Sequence, residues 1–291
     1  QYDSTFARAH AGLSLVWAGR GQMGIAPPVE AARRSHEFVL KALELDEGLA
    51  VAHHALAVGL TWQQWRWEEA WDHWRRALEI NPNDGQTNAY YAHFLAIMGL
   101  PDEALPYAER AVELDPFSGL FHALHGVTLV FSRNYEEAIA AASRALELDP
   151  NIPLDARPMA YLAAGMRDEQ LAHQRERIAV DPERVAAFER GLEEGGYEGA
   201  QIAIADLLAE RYRRDGFGEF GASGIALRYM DGGDLDQAME WFDRAMDQRD
   251  PNMPYLVAPA YDALRVHPRY PDLIRKMGFP EEVTQRHLAP R

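Results

Sequence analysis

Histidines are the side chains in this sequence whose type and spacing come nearest to a reactive or metal-binding set. His53-His54, His93 and His122-x-x-His125 fall in successive segments of helical pattern, and His122 and His125 share one helical face. A metal site needs a third ligand, ordinarily with a carboxylate behind it, and none stands at a suitable spacing. His36-Glu37 begins the H-E-x-x-H pattern of zinc proteases, but Leu40 stands where the second histidine belongs. The histidines therefore read as partly buried or groove-lining, and no metal is expected.

Other candidate chemistry fails on context. Residues 19–24, GRGQMG, satisfy G-x-G-x-x-G, yet a helix-like segment precedes them and Pro27-Pro28 follow. A dinucleotide site needs a strand before and a helix directly after, so this stretch reads as an inter-helix loop. The carboxylate pairs Glu68-Glu69, Glu136-Glu137 and Glu193-Glu194 are adjacent residues, which do not face each other on a helix. They read as first-turn acids complementing the helix dipole. No G-x-S-x-G, Walker loop or other nucleophile arrangement is present. No catalytic residue and no cofactor is expected, and the chain reads as a non-enzyme. Trp67, Trp71 and Trp74, spaced i, i+4, i+7, are expected in a helix-packing core. Trp62 and Trp65 lie near a turn, where core packing is favoured over anchoring a partner.

The elements that would position these groups are helical throughout. Three segments align without gaps: WEEAWDHWRRALEINP, PDEALPYAERAVELDP and YEEAIAAASRALELDP. Pro82, Pro116 and Pro150 end them at steps of 34 residues. Ala70, Ala104 and Ala138 keep that step, as do Ala77, Ala111 and Ala145. An alanine at a helix crossing lets backbones approach, and neither helix of a pair can bury its apolar face without its neighbours. A period of 34 residues with alanines seven apart is similar to the tetratricopeptide repeat (TPR). Degenerate copies extend the array: VEAARRSHEFVLKALELD upstream; MAYLAAGMRDEQLAHQRERIAVDP, with Gln170 and Arg177 in place of alanines; and GDLDQAMEWFDRAMDQRDP.

The expected fold is all-α: a right-handed α-α superhelix, a TPR solenoid of about six helix pairs plus C-terminal capping helices. Expected repeats are 3–47, 48–82, 85–116, 119–150 and 153–182, an irregular helical pair 183–215, and a repeat 219–250. A cap over 256–279 and a tail over 281–291 complete the single solenoid. Beginning on Gln1, the chain reads as a segment of something longer or as a processed form.

Composition limits the partners. The formal charge is 29 − 45 = −16, which disfavours nucleic acid and anionic membranes. No apolar run reaches the ~18 residues of a membrane span. Cysteine is absent, so disulfides and thiolate zinc sites are excluded. Lys41 and Lys276 are the only lysines; with the many alanines, this suggests a GC-rich bacterial origin.

Three stretches carry a narrower resemblance: WQQWRWEEAWDHWRRALEINPN, GDLDQAMEWFDRAMDQRDPNMPYL and YDALRVHPRYPDLIRKMGFP. They resemble the C-terminal TPR region of bacterial signalling proteins whose effector is an adenylate cyclase, a winged-helix regulator or a kinase. A TolB-like segment often lies between effector and repeats in those proteins. The resemblance implies a regulatory or sensing part that binds a peptide or protein in a concave groove lined by first helices. Mapped onto this chain, the groove positions are Gln86, Tyr90 and His93, then Leu120, Leu124 and Val127. The Lys, Arg and Asn clamp by which some TPR domains hold a C-terminal carboxylate is lacking. Two alternatives stay open: a small-ligand sensor using a pocket over 183–220 beside Tyr197, Tyr212 and Phe217, and a self-association module.

Overall fold

The computed structural model describes residues 6–215 and 221–290. Residues 3 and 219, where two repeats were expected to begin, and Phe217 lie outside the described residues. Helices pair in sequence: α1 (Ala7–Gln22) with α2 (Pro28–Leu45), α3 (Ala50–Val58) with α4 (Trp67–Ile80), α5 (Gly85–Ile97) with α6 (Pro101–Leu114), and α7 (Gly119–Phe131) with α8 (Tyr135–Leu148). Then come α9 (Arg157–Ala164), α10 (Arg167–Ile178), α11 (Pro182–Asp215), α12 (Gly221–Asp231) and α13 (Leu235–Asp247). No strand occurs among the described residues, and the architecture is an all-α superhelical repeat fold.

The repeat alanines sit where backbones meet. Ala70, Ala77, Ala104, Ala111, Ala138 and Ala145 are each 0% exposed, so the 34-residue step fixes the stacking distance between pairs. The pairs α5–α6 and α7–α8 each end in a turn built by their own acid. Asp115 and Asp149 leave the helix in extended conformation, and their carboxylates accept from the amides of Phe117 (3.1 Å) and Asn151 (3.0 Å). Asp84 and Ser118 then cap the next first helix by accepting from Thr87 and Phe121.

One segment departs from the sequence expectation, and two others take forms that the repeat pattern did not specify. The stretch read as a loop, GRGQMG, is helical as far as Gln22, because α1 crosses α2 so closely that a Cβ at Gly21 would lie 2.7 Å from the Ala31 methyl. After α3 the chain continues through a π-helical turn (Gly59–Gln64) and leaves it at Trp65, whose φ is 56°. That turn carries Trp62 and Trp65 inward, both buried. The irregular pair is one long element broken at Gly195–Gly196; its halves cross at Gly191 and Gly199, where a Cβ at Gly191 would lie 2.3 Å from the Gly199 carbonyl oxygen.

The chain then returns on itself. Beyond α13 run the 3-10 turns Met253–Val257 and Pro259–Val266, then α14 (Tyr270–Lys276) and α15 (Glu281–Leu288). Residues 281–288, expected as part of a tail, are thus helical. The cap does more than shield an end. The turn Met253–Val257 packs on α5 and on the π-helical turn, and α15 docks beside the end of α5. Gly99 (φ 73°) makes that docking possible, since a Cβ there would meet the Arg286 side chain at 2.7 Å.

Candidate functional site

The six positions mapped from the sequence lie on α5 and α7, and their side chains divide by burial. Gln86, Tyr90 and Leu120 are half-buried, whereas His93, Leu124 and Val127 are 1%, 2% and 1% exposed. Tyr90, Leu120 and Leu124 share one apolar cluster with Ala89, Phe121 and Leu154. Val127 belongs to the main core. His93 sits among aromatic rings, with centroids 5.3 Å from Trp62, 5.2 Å from Tyr255 and 6.4 Å from Phe131. Tyr90 meets Trp62 and His54 edge-on at 5.9 and 5.5 Å.

Burial dominates the electrostatics of this wall. Desolvation lowers His93 to about 3, and no nearby charge opposes it. His54 is lowered to about 4 by the same cause, partly offset by the negative charge of Asp84. Both rings are neutral at pH 7. His54 Nδ1 lies 3.2 Å from the Thr87 hydroxyl. Neither ring nitrogen of His93 has a hydrogen-bond partner among the described residues. Burying such a group costs roughly 1–3 kcal/mol.

The groove is not open along its length. Met253, Leu256 and Val257 are each 1% exposed, and Tyr255 reaches His93 while its hydroxyl accepts from the Gln22 amide at 3.4 Å. Around the rim, Asp262 pairs with Arg133, and Arg249 donates to the Gln64 carbonyl at 3.2 Å with its guanidinium over the Trp65 ring. At the far end, Trp67 donates to the Met277 carbonyl (2.9 Å) and stacks on Phe279 at 4.4 Å. Arg286 and His287 engage the carbonyls of Met98 and Ile97, each at 2.8 Å. Trp67, expected to pack against a neighbouring repeat, therefore packs against the returning C-terminal segment. Trp74 is fully buried and Trp71 donates to the Tyr91 hydroxyl at 3.1 Å.

Sequence reasoning included His54 among the partly buried or groove-lining histidines, but did not place Trp62 beside it or name Tyr255 as their counterpart. Pro251, Pro254 and Pro259, which break the repeat pattern just after Asp250, are the signal that could have shown it.

The remaining sequence candidates are scattered. His122 engages the Pro116 carbonyl at 3.0 Å, and burial lowers the pKa of His125. His53 and His73 face each other Nδ1 to Nδ1 at 2.9 Å. Among the described residues, no group of three or more His, Asp or Glu side chains could hold a metal ion. A cleft of about 380 Å³ lies between the α9–α10 turn, α11, α12 and the second 3-10 turn, with Tyr161, Arg167, Tyr197 and Asp231 in its wall. There the Tyr197 hydroxyl donates to Asp231 at 2.7 Å, and burial raises the pKa of both groups. Tyr212 lies elsewhere, donating to Gln248 at 2.6 Å. No helix among the described residues is long and apolar enough to cross a membrane.

The fold defines an all-α superhelical repeat protein, similar in its 34-residue step to the tetratricopeptide repeat. Residues 121–152 match the family described as tetratricopeptide repeat. A human IFIT1 dimer with m7Gppp-AAAA is similar at 17% identity over 84% of this chain and 64% of that one, with a TM-score of 0.57, which is a likeness of fold. PilW, a widely conserved type IV pilus biogenesis factor, is 17% identical over 89% of this chain and 96% of its own, with a TM-score of 0.47. PilF of Pseudomonas aeruginosa is 18% identical over 88% and 94%, with a TM-score of 0.44. No curated protein sequence matches the chain.

Proposed function

We propose that this chain is a non-enzymatic protein–protein interaction scaffold, the regulatory or sensing part of a larger bacterial signalling protein, and that it holds a partner's segment in the groove at Gln86, Tyr90, His93, Leu120, Leu124 and Val127. One observation carries the reading: the aromatic wall of α3 and α5 already holds a segment that is not a repeat, through Tyr255. A surface that takes an apolar, tyrosine-bearing turn of its own chain has the shape and chemistry to take one from elsewhere. The signalling role rests on the resemblance of the three stretches quoted above. The IFIT1 structure holds a capped RNA fragment on a similar fold, but a net charge of −16 repels phosphate and favours a protein partner here.

Capture from a bacterial lysate tests it, using the wild-type chain and the rim variants Gln86→Arg and Leu120→Arg. A protein retained by wild type and lost in both variants, with melting temperatures unchanged, supports the groove. A captured protein indifferent to both variants overturns it.

A second reading, a small-ligand sensor, is supported by the cleft beside Tyr197 and Asp231. Thermal shift over a panel of metabolites, on wild type and Tyr197→Phe, separates the two: stabilisation lost in the variant would favour the sensor.

A further inference from the structure

The segment over these positions joins the main apolar core but differs from the repeats in backbone form. Residues 253–257 form a 3-10 turn that contains Pro254, lies between Pro251 and Pro259, and carries none of the repeat alanines. Prolines keep this stretch out of the helix stack, so its departure unwinds no repeat. Beneath it, the ring nitrogens of His93 stand buried and without partners among the described residues, a cost that water or a partner would relieve. Its polar fastenings run along its length: Asp262 to Arg133, His267 to Asp236, Arg269 and Lys276 to Asp243, Trp67 to the Met277 carbonyl, and Arg286 and His287 to the Met98 and Ile97 carbonyls, with Phe279 stacked on Trp67. The root is firm, because Asp250 accepts from Ser223 (2.8 Å) and from the Asn252 amide (2.9 Å). Such a segment is tethered where it begins and held beyond by polar contacts together with apolar burial against the main core.

We infer that residues 251–290 are an intramolecular competitor for the groove, and that the groove's partner is a protein segment repeating their chemistry: a tyrosine in an apolar, proline-bordered turn, followed within two helical turns by a carboxylate for Arg133. The inference rests on the scaffold reading and adds to it the partner's class and the gate that controls its access. The Tyr255 position supplies the ring that meets His93; Leu256 and Val257 supply the apolar fill; Asp262 supplies the anion at the rim. A partner must displace a tethered copy of itself, so its apparent affinity falls by the fraction of time the groove is open.

Native-state hydrogen exchange on the full chain is the first test. The amides of 255–264 are expected to exchange through an opening that leaves α5 and α7 protected, at least about tenfold faster than the slowest amides of α5. If they exchange only together with α5 and α7, the segment is fixed core and the inference fails, whatever partners exist. The second test is a labelled peptide of residues 251–267. It is expected to bind the full-length Asp262→Asn/Phe279→Ala variant at least about tenfold more tightly than wild type, and to lose binding when its own tyrosine is replaced by alanine. Absence of binding to a variant that keeps its helical melt overturns the inference. Failure of the scaffold reading looks different: the opening and the peptide binding are both seen, but no lysate protein competes with the peptide. Should the variant not fold, the exchange measurement on wild type decides alone.

Discussion

The rings of His93 and Tyr255 lie 5.2 Å apart at an angle of 50°, joining the middle of the repeat array to a segment that belongs to no repeat. This contact turns an open superhelix into one whose inner face is covered by its own chain. Its energetics are those of a buried aromatic: replacing Tyr255 by alanine is expected to cost about 3–5 kcal/mol, and by phenylalanine under about 1.5 kcal/mol. Chemical denaturation of the three proteins measures the difference. A Tyr255→Ala protein as stable as wild type would mean that the contact contributes nothing.

Acid should weaken the fold in a defined window. His93 and His54 are held at about 3 and 4, below the ordinary 6.5, so the folded state keeps them neutral while the unfolded chain protonates them. The unfolded state therefore binds more protons between pH 6.5 and 4. Stability is full above pH 6.5 and falls by a few kcal/mol as pH drops through that range, because each tenfold difference in proton affinity between the two states is worth about 1.4 kcal/mol. Melting temperature against pH for wild type and His93→Phe is the check: the variant should show a shallower fall. Equal slopes would remove His93 from the account.

The crossing at Gly191 should tolerate no side chain. A Cβ there meets the Gly199 carbonyl oxygen at 2.3 Å, and the opposing group is backbone that cannot swing away. Gly191→Ala is expected to destabilise by more than about 2 kcal/mol, although alanine favours helices. Gly195→Ala is the control, since no atom lies within 4 Å of its Cβ position. Equal melting temperatures for the two variants would contradict the close crossing.

Much of this architecture was legible because one spacing repeats. The alanines at 70, 104 and 138 announce helix crossings, and all three prove fully buried. Gly21 and Gly191 were not legible as crossing points, because a glycine in a single sequence reads equally as a loop. The groove positions were taken from the resemblance to TPR arrays. What covers them did not, because the contact between His93 and Tyr255 is long-range and leaves no periodic trace. Trp67 shows the same limit: its helical face predicted burial correctly, but not that Phe279 would be its neighbour.

The Arg133–Asp262 pair is half-exposed, with side chains 46% and 31% accessible, so it should contribute little to global stability. Arg133→Ala is expected to change the unfolding free energy by less than about 1 kcal/mol while speeding exchange of the amides at 255–264. A large loss of global stability would show that the returning segment and the repeats unfold as one unit.

Photo-crosslinking from within the groove tests the scaffold most directly. A photoreactive residue placed at Gln86 or Leu120, both half-buried at the groove rim, should capture a specific protein from a bacterial lysate. The same residue at the exposed Glu113 of α6 should not. Capture from the groove positions alone would establish where a partner sits. Capture from Glu113 alone, or from all three alike, would contradict a partner-binding groove and move the function to another surface.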